Sequence, residues 1–228
     1  MTGVQTCALP ISNSFNGSTT VSGGTLGITN GSALGTTAAG TTVASGATLA
    51  LSGGIAVGAE AVNVNGTGVG GNGAIRSTAG SNSLAGAVTL AGSSTVQVDA
   101  GGLTLSGAIN GAANALAKTG GGILTISATQ TYATLNANAG VTNVNSALGT
   151  GTSTLNANST VNISTSQTLA ALNIGAGATV TFGDGLPLAG GPEKLAGLGG
   201  GVAVVPEPGS VGLLLVGAAG LLARRRRG

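Results

Sequence analysis

The chain has no histidine, no tryptophan, one cysteine (Cys7), one tyrosine (Tyr132) and two phenylalanines among its 228 residues. Without histidine, neither a Ser-His-Asp nor a Cys-His relay can be assembled. A zinc site of His and Cys ligands and an intramolecular disulfide framework are excluded on the same count. Charged side chains make up 5% of the residues, against about 25% in an average domain. Aromatics at 1% leave too few large inward residues for an immunoglobulin-like sandwich. Proline is missing from the whole stretch between residues 11 and 186, so no strand there loses a ladder donor to it. The formal charge of +2 and pI near 9.2 come from four arginines at the very end. Elsewhere only Arg76, Lys118 and Lys194 are basic, against Glu60, Asp99, Asp184, Glu193 and Glu207. No basic patch exists to track phosphates, and nucleic acid is not an expected partner.

What the chain does contain is glycine, 45 residues of it, together with short runs in which apolar and small polar residues alternate. Disorder goes with low hydrophobicity and high charge; here mean hydropathy is +0.47. Leu49 and Leu51, Val62 and Val64, Val88 and Leu90, Val96 and Val98, Leu103 and Leu105, Leu124 and Ile126, and Val161 and Ile163 are each spaced by two. That is the strand period, which sends both side chains to one face. Gly-Gly, Ser-Gly and Asn-Gly between the runs mark turns. Strands this short and this poor in large side chains gain a core by stacking, each coil burying its apolar pair against the same pair in the next. The expected fold is therefore all-β, a parallel β-helix over residues 13–185.

The repeats also resemble a known family. Thr19-Thr20-Val21-Ser22-Gly23-Gly24-Thr25-Leu26, Leu103-Thr104-Leu105-Ser106-Gly107-Ala108-Ile109 and Leu116-Ala117-Lys118-Thr119-Gly120-Gly121-Gly122-Ile123-Leu124-Thr125-Ile126 look like the passenger-associated repeat of bacterial autotransporters. The resemblance covers about three quarters of the chain and implies a right-handed parallel β-helix displayed at the bacterial surface. A complete autotransporter ends in a membrane β-barrel with aromatic girdles. A different tail stands in that place here, so export is expected to rely on other machinery.

That tail, residues 205–228, begins Val205-Pro206-Glu207-Pro208, continues through the uncharged run 211–223 (VGLLLVGAAGLLA) and ends in Arg224, Arg225, Arg226 and Arg227. As a helix the run is about 20 Å long at about 1.5 Å per residue, short for a hydrocarbon core of about 30 Å. The flanks favour a membrane span nonetheless: the prolines forbid helix upstream, and the arginines stop translocation and snorkel to the cytoplasmic side. The order of parts resembles the PEP-CTERM sorting signal of Gram-negative bacteria. The resemblance implies recognition by an exosortase-type membrane transpeptidase, cutting near Pro206, Glu207 and Pro208, and delivery to the cell surface. Residues 186–204, with Pro187, Pro192 and a Gly-Leu-Gly-Gly-Gly run, read as a linker that holds the β-helix off the membrane.

Residues 1–12 (MTGVQTCALPIS) lack a basic region followed by an apolar stretch, so they are not a secretory signal peptide. They look like translated adapter sequence on a fragment whose true start is missing, and are set aside from the fold. The remaining candidates for chemistry are sparse. Glycosidic cleavage needs two carboxylates about 5 to 9.5 Å apart, whereas Glu60, Asp99 and Asp184 are scattered singly and read as solvated groups on turns or the outer face. Tyr132 reads as packing. Gly66-Thr67-Gly68-Val69-Gly70-Gly71 matches a dinucleotide fingerprint, but in so glycine-rich a chain about two such matches arise by chance, and no helix pattern follows. The same segment lacks the aspartate of a calcium-binding nonapeptide, so no cofactor or metal is expected.

The sequence thus leads to the expectation of a non-catalytic surface or matrix protein: a β-helix, a linker and one short C-terminal transmembrane helix, with the repeats outside the cytoplasm. An adhesin for a polysaccharide or surface protein is the alternative. A β-helix polysaccharide lyase or hydrolase is the third reading.

Overall fold

The structure, a computed structural model, describes residues 6–148, 153–183 and 188–189. It is an all-β parallel solenoid of about eight turns with almost no helix. Every strand pairing it contains is parallel. The chain circulates over three faces, and hydrogen bonds between successive coils join residues 16 to 30 positions apart.

The first face stacks Thr6–Leu9, Gly24–Ile28, Ala47–Ser52, Ile75–Ala79, the second half of Val88–Val98, Ala115–Thr119, Thr134–Ala137, Thr154–Ala157 and Ala171–Ile174. The second face runs from Ala56–Val57 through Ser81–Leu84, Gly102–Leu105, Ile123–Ile126, Val141–Val144 and Thr160–Ile163 to Thr179–Phe182. Shorter pieces make the third: Thr19–Val21, Thr41–Val43, Val62–Gly66, the first half of Val88–Val98, and Ile109–Asn110, which bridges to Gln130. Val88–Val98 turns the corner between two faces without a break. Val88 to Leu90 pair with Val62 to Val64, while Val96 and Val98 pair with Ile75 and Ser77.

The alternation seen in the sequence produces the core directly. On the first face Leu116, Leu135, Leu155 and Leu172 stand one above another. On the second, Leu84, Leu105, Ile126, Val144 and Ile163 do the same, and Val62, Val88 and Ile109 follow on the third. Nearly all are fully buried, each Leu, Ile or Val contributing about 1.5–3 kcal/mol. Because each coil touches only its neighbours, stability accumulates coil by coil. The corner after the first face needs glycine. Gly101 sits at φ +69, where L side chains are disfavoured, and a Cβ there would run into the Gly80 carbonyl.

Two boundaries differ from the sequence reading. The opening dozen does enter the fold, since Thr6–Leu9 pairs in register with Thr25 to Ile28. At the other end Leu188–Ala189, placed in the linker, pairs with Gln167–Thr168 as a separate two-stranded sheet, so strand pairing extends past residue 185. Among the described residues no helix is long and apolar enough to cross a membrane. The expected span 211–223 and the rest of the linker lie outside the described residues.

Candidate functional site

Acidic side chains come first, because catalysis on a glycan would need two of them together. Glu60 lies just before the third-face strand Val62–Gly66 and points inward, 3% exposed. Its Oε1 accepts from Thr41 Oγ1 at 2.8 Å, and its Oε2 has no partner in the interior. The solvated carboxylate expected from the sequence is thus a buried one: Thr41 faces inward on the preceding coil and draws the side chain with it. Asp99 is on the outside, at the end of Val88–Val98. It accepts from Arg76 Nε at 2.7 Å and from Gln97 Nε2 at 2.6 Å, an ion pair whose side chains are 35% and 26% exposed. Glu60 and Asp99 share no partner. Among the described residues no three His, Cys, Asp or Glu side chains sit together in a way that could hold a metal ion. Asp184 lies outside the described residues.

The glycine-rich loop from Gly66 to Gly71 closes on itself. Val69–Gly71 forms a single 3₁₀ turn. Gly71 N–H donates to Gly68 O, Gly73 N–H to Thr67 O at 2.7 Å, and Val69 N–H to Thr48 Oγ1 at 2.9 Å. These backbone donors, which a phosphate would need, are already engaged.

Two further groups sit in the core. Tyr132, 1% exposed, packs inside as expected; its hydroxyl donates to Gln130 Oε1, and Gln130 Nε2 donates to Ser146 Oγ at 2.9 Å. Burial holds the Tyr132 hydroxyl well above its ordinary pKa. Lys118 was not anticipated. It stands in the inward row between Val96 and Ala137 and is fully buried. Its Nζ donates to Gly120 O at 2.8 Å and Ala139 O at 2.9 Å, with burial lowering its pKa from 10.5 to about 8. No carboxylate is among these partners, so the amine acts as a staple across the corner between the first and second faces.

Outside, the C-terminal coils carry ladders of amides. Asn173 Nδ2 donates to Asn156 Oδ1 at 2.7 Å, and Asn156 Nδ2 to Asn136 Oδ1 at 2.7 Å. Asn162 Nδ2 donates to Asn143 Oδ1 at 2.9 Å on the second face, and Asn158 Nδ2 to Asn138 Oδ1 at 3.1 Å at the corner. Each bond runs from a coil to the one before it. The repeated Leu-Asn-Ala-Asn at 135–138 and 155–158 is the sequence signal that would have revealed them. From Thr119 to Gly183 no residue is charged, so these faces are wholly neutral.

Pro206, Glu207, Pro208 and Arg224 to Arg227 lie outside the described residues. The comparisons with known proteins bear on that segment. No curated protein and no solved structure matches the chain. Residues 204–227 match the family model described as the PEP-CTERM protein-sorting motif. Such signals are recognised by exosortase-type membrane enzymes, and a chain that carries one is exported, sorted and associated with a membrane.

Proposed function

We propose that the chain is a non-catalytic structural protein of the cell surface or extracellular matrix, a β-solenoid rod delivered by its PEP-CTERM tail. The observation that carries this reading is the pairing of a sorting motif at 204–227 with a solenoid whose chemistry is spent internally: a buried tyrosine, a stapled lysine, and carboxylates with separate partners. On this reading the solenoid is right-handed, the hand of nearly all strand–crossover–parallel strand connections. Its repeats resemble the autotransporter-associated kind. Residues 211–223 span the membrane, Arg224 to Arg227 stay on the cytoplasmic side, and exosortase cuts near Pro206 to Pro208. Intact-mass measurement on material released from the native host tests the processing. An end near Pro206 to Pro208 is expected; released chains that keep Arg224 to Arg227, or full-length chains in cytosol free of lipid, would overturn the proposal.

A second reading, an adhesin for an exopolysaccharide, is favoured by the amide ladders. An asparagine side chain has two N–H groups and two acceptor lone pairs. In mid-ladder, Asn156 spends one of each. The remainder faces outward on an uncharged surface, repeating at the strand spacing of about 4.8 Å. Affinity electrophoresis in gels of defined neutral and anionic polysaccharides separates the two readings: a saturable retardation lost on changing Asn138, Asn158 and Asn173 to Ala supports the adhesin, and unretarded migration in every gel supports the plain rod.

A further inference from the structure

Five asparagines precede glycine: Asn16, Asn30, Asn65, Asn72 and Asn110. At such a pair the glycine backbone nitrogen, after losing its proton to solvent base, can attack the asparagine Cγ. A C–N bond forms, the Cγ–Nδ2 bond breaks, and ammonia leaves from a five-membered succinimide. Water then opens the ring at either carbonyl to give aspartate or isoaspartate, so that one water enters for each ammonia released, with no change of oxidation state. The reaction needs a glycine N–H free of the hydrogen-bond ladder and room for the side chain to swing toward it.

At four of the pairs the fold withholds at least one of these conditions. Gly73 N–H donates to Thr67 O at 2.7 Å. Asn65 and Gly66 end the strand Val62–Gly66, with Gly92 packed against the Asn65 Oδ1. Asn110 is paired in a strand with Thr89, and Gly111 is buried against Tyr132 and Leu90. Gly31 lies tight against the Ala56 carbonyl, where a Cβ would collide with it, so the Asn30 side chain lacks the room to swing over the Gly31 nitrogen.

Asn16 and Gly17 differ. Both are exposed, in no strand, and a Cβ built on Gly17 meets no atom within 4 Å. The Gly17 N–H has no hydrogen-bond partner among the described residues. Asn16 Oδ1 accepts from Thr36 Oγ1 at 2.7 Å, a bond that draws electrons from Cγ and makes it the better electrophile. We infer that Asn16 is the site of spontaneous deamidation and isoaspartate formation in this chain. The consequence is local. Phe15 O accepts from Thr36 N–H at 2.9 Å, and Asn13 Nδ2 donates to Ala33 O at 2.7 Å. An isoaspartyl link adds a carbon to the main chain beside these contacts and a negative charge to a loop that has none, loosening this loop from the next coil.

Ageing the full chain in mildly alkaline buffer, followed by peptide mapping and methyl-transfer labelling of isoaspartate, tests the inference. A net hydrogen bond that must first break slows the step by about five- to tenfold, so conversion at Asn16 should outrun that at Asn72 by at least this factor. Gly17→Ala, which the open space around Gly17 and its ordinary backbone angle tolerate, should slow conversion at Asn16 without changing the melting temperature. Conversion at Asn30, Asn65, Asn72 or Asn110 as fast as at Asn16, no isoaspartate at all, or an unchanged rate in Gly17→Ala would overturn it.

Discussion

The buried ammonium of Lys118 makes stability depend on pH in a way that can be worked through. Its pKa is 10.5 when unfolded and about 8 when folded. Below about pH 8 both states carry the proton, and the folded state bears the full cost of a desolvated charge. Between about pH 8 and 10.5 the folded state has lost the proton while the unfolded chain still binds it. Stability then rises with pH, since it rises wherever the unfolded state holds more protons. Integrated from about pH 7 to about pH 9.5, the two pKa values give a gain of about 2 kcal/mol. The Tyr132 hydroxyl acts in the opposite sense, but only above its ordinary value of 10.0, because there the unfolded chain loses a proton that the folded one keeps. Urea unfolding followed by circular dichroism across this range should show the midpoint climbing. In Lys118→Met, which keeps the length of the side chain and removes the charge, the climb should vanish. A wild-type midpoint flat between about pH 7 and 9.5, or an equal slope in the methionine variant, would refute the placement of the amine in the core.

Other perturbations follow from the same stacks. Thr142 is buried in the row between Leu124 and Val161, and its Oγ1 finds no partner; Thr142→Val removes the orphan hydroxyl at nearly equal volume and should raise stability by about 1 kcal/mol in thermal melts. Leu155, fully buried between Leu135 and Leu172, should lose about 2–5 kcal/mol on change to Ala, with hydrogen exchange quickening first in the coils after Thr154. Gly101→Ala should cost about 2–4 kcal/mol in urea unfolding, combining a left-handed backbone penalty with the collision at the Gly80 carbonyl.

The apolar pairs at spacing two were legible because the fold uses them literally: each marks an inward row, and adjacent coils repeat it. The third face was legible only in part: Val62 and Val64, and Val88 and Leu90, carry the period, whereas Thr19–Val21, Thr41–Val43, Ile109–Asn110 and the lone Gln130 are too short to show one. Lys118 was hidden for a different reason. Leu116 and Lys118 are in phase, so the alternation did place the lysine inward; a charge in that position reads as solvent-facing until the Gly120 and Ala139 carbonyls are seen waiting for it. Glu60 was misplaced because its partner, Thr41, comes from the previous coil, nineteen residues away. The sorting tail was legible as a linear motif, whose meaning depends on order along the chain and not on any fold.

A rod in which every coil bonds only to the coils on either side has a particular answer to tension. The tail follows the last described coil in sequence, and the strands lie across the long axis. A pull on that end therefore loads one rung's hydrogen bonds at a time, peeling Leu188–Ala189 from Gln167–Thr168, then Thr179–Phe182 from Thr160–Ile163, and only then Ala171–Ile174 from Thr154–Ala157. Such a thread unspools in small steps instead of snapping, and each length released slackens the load on the turns that remain.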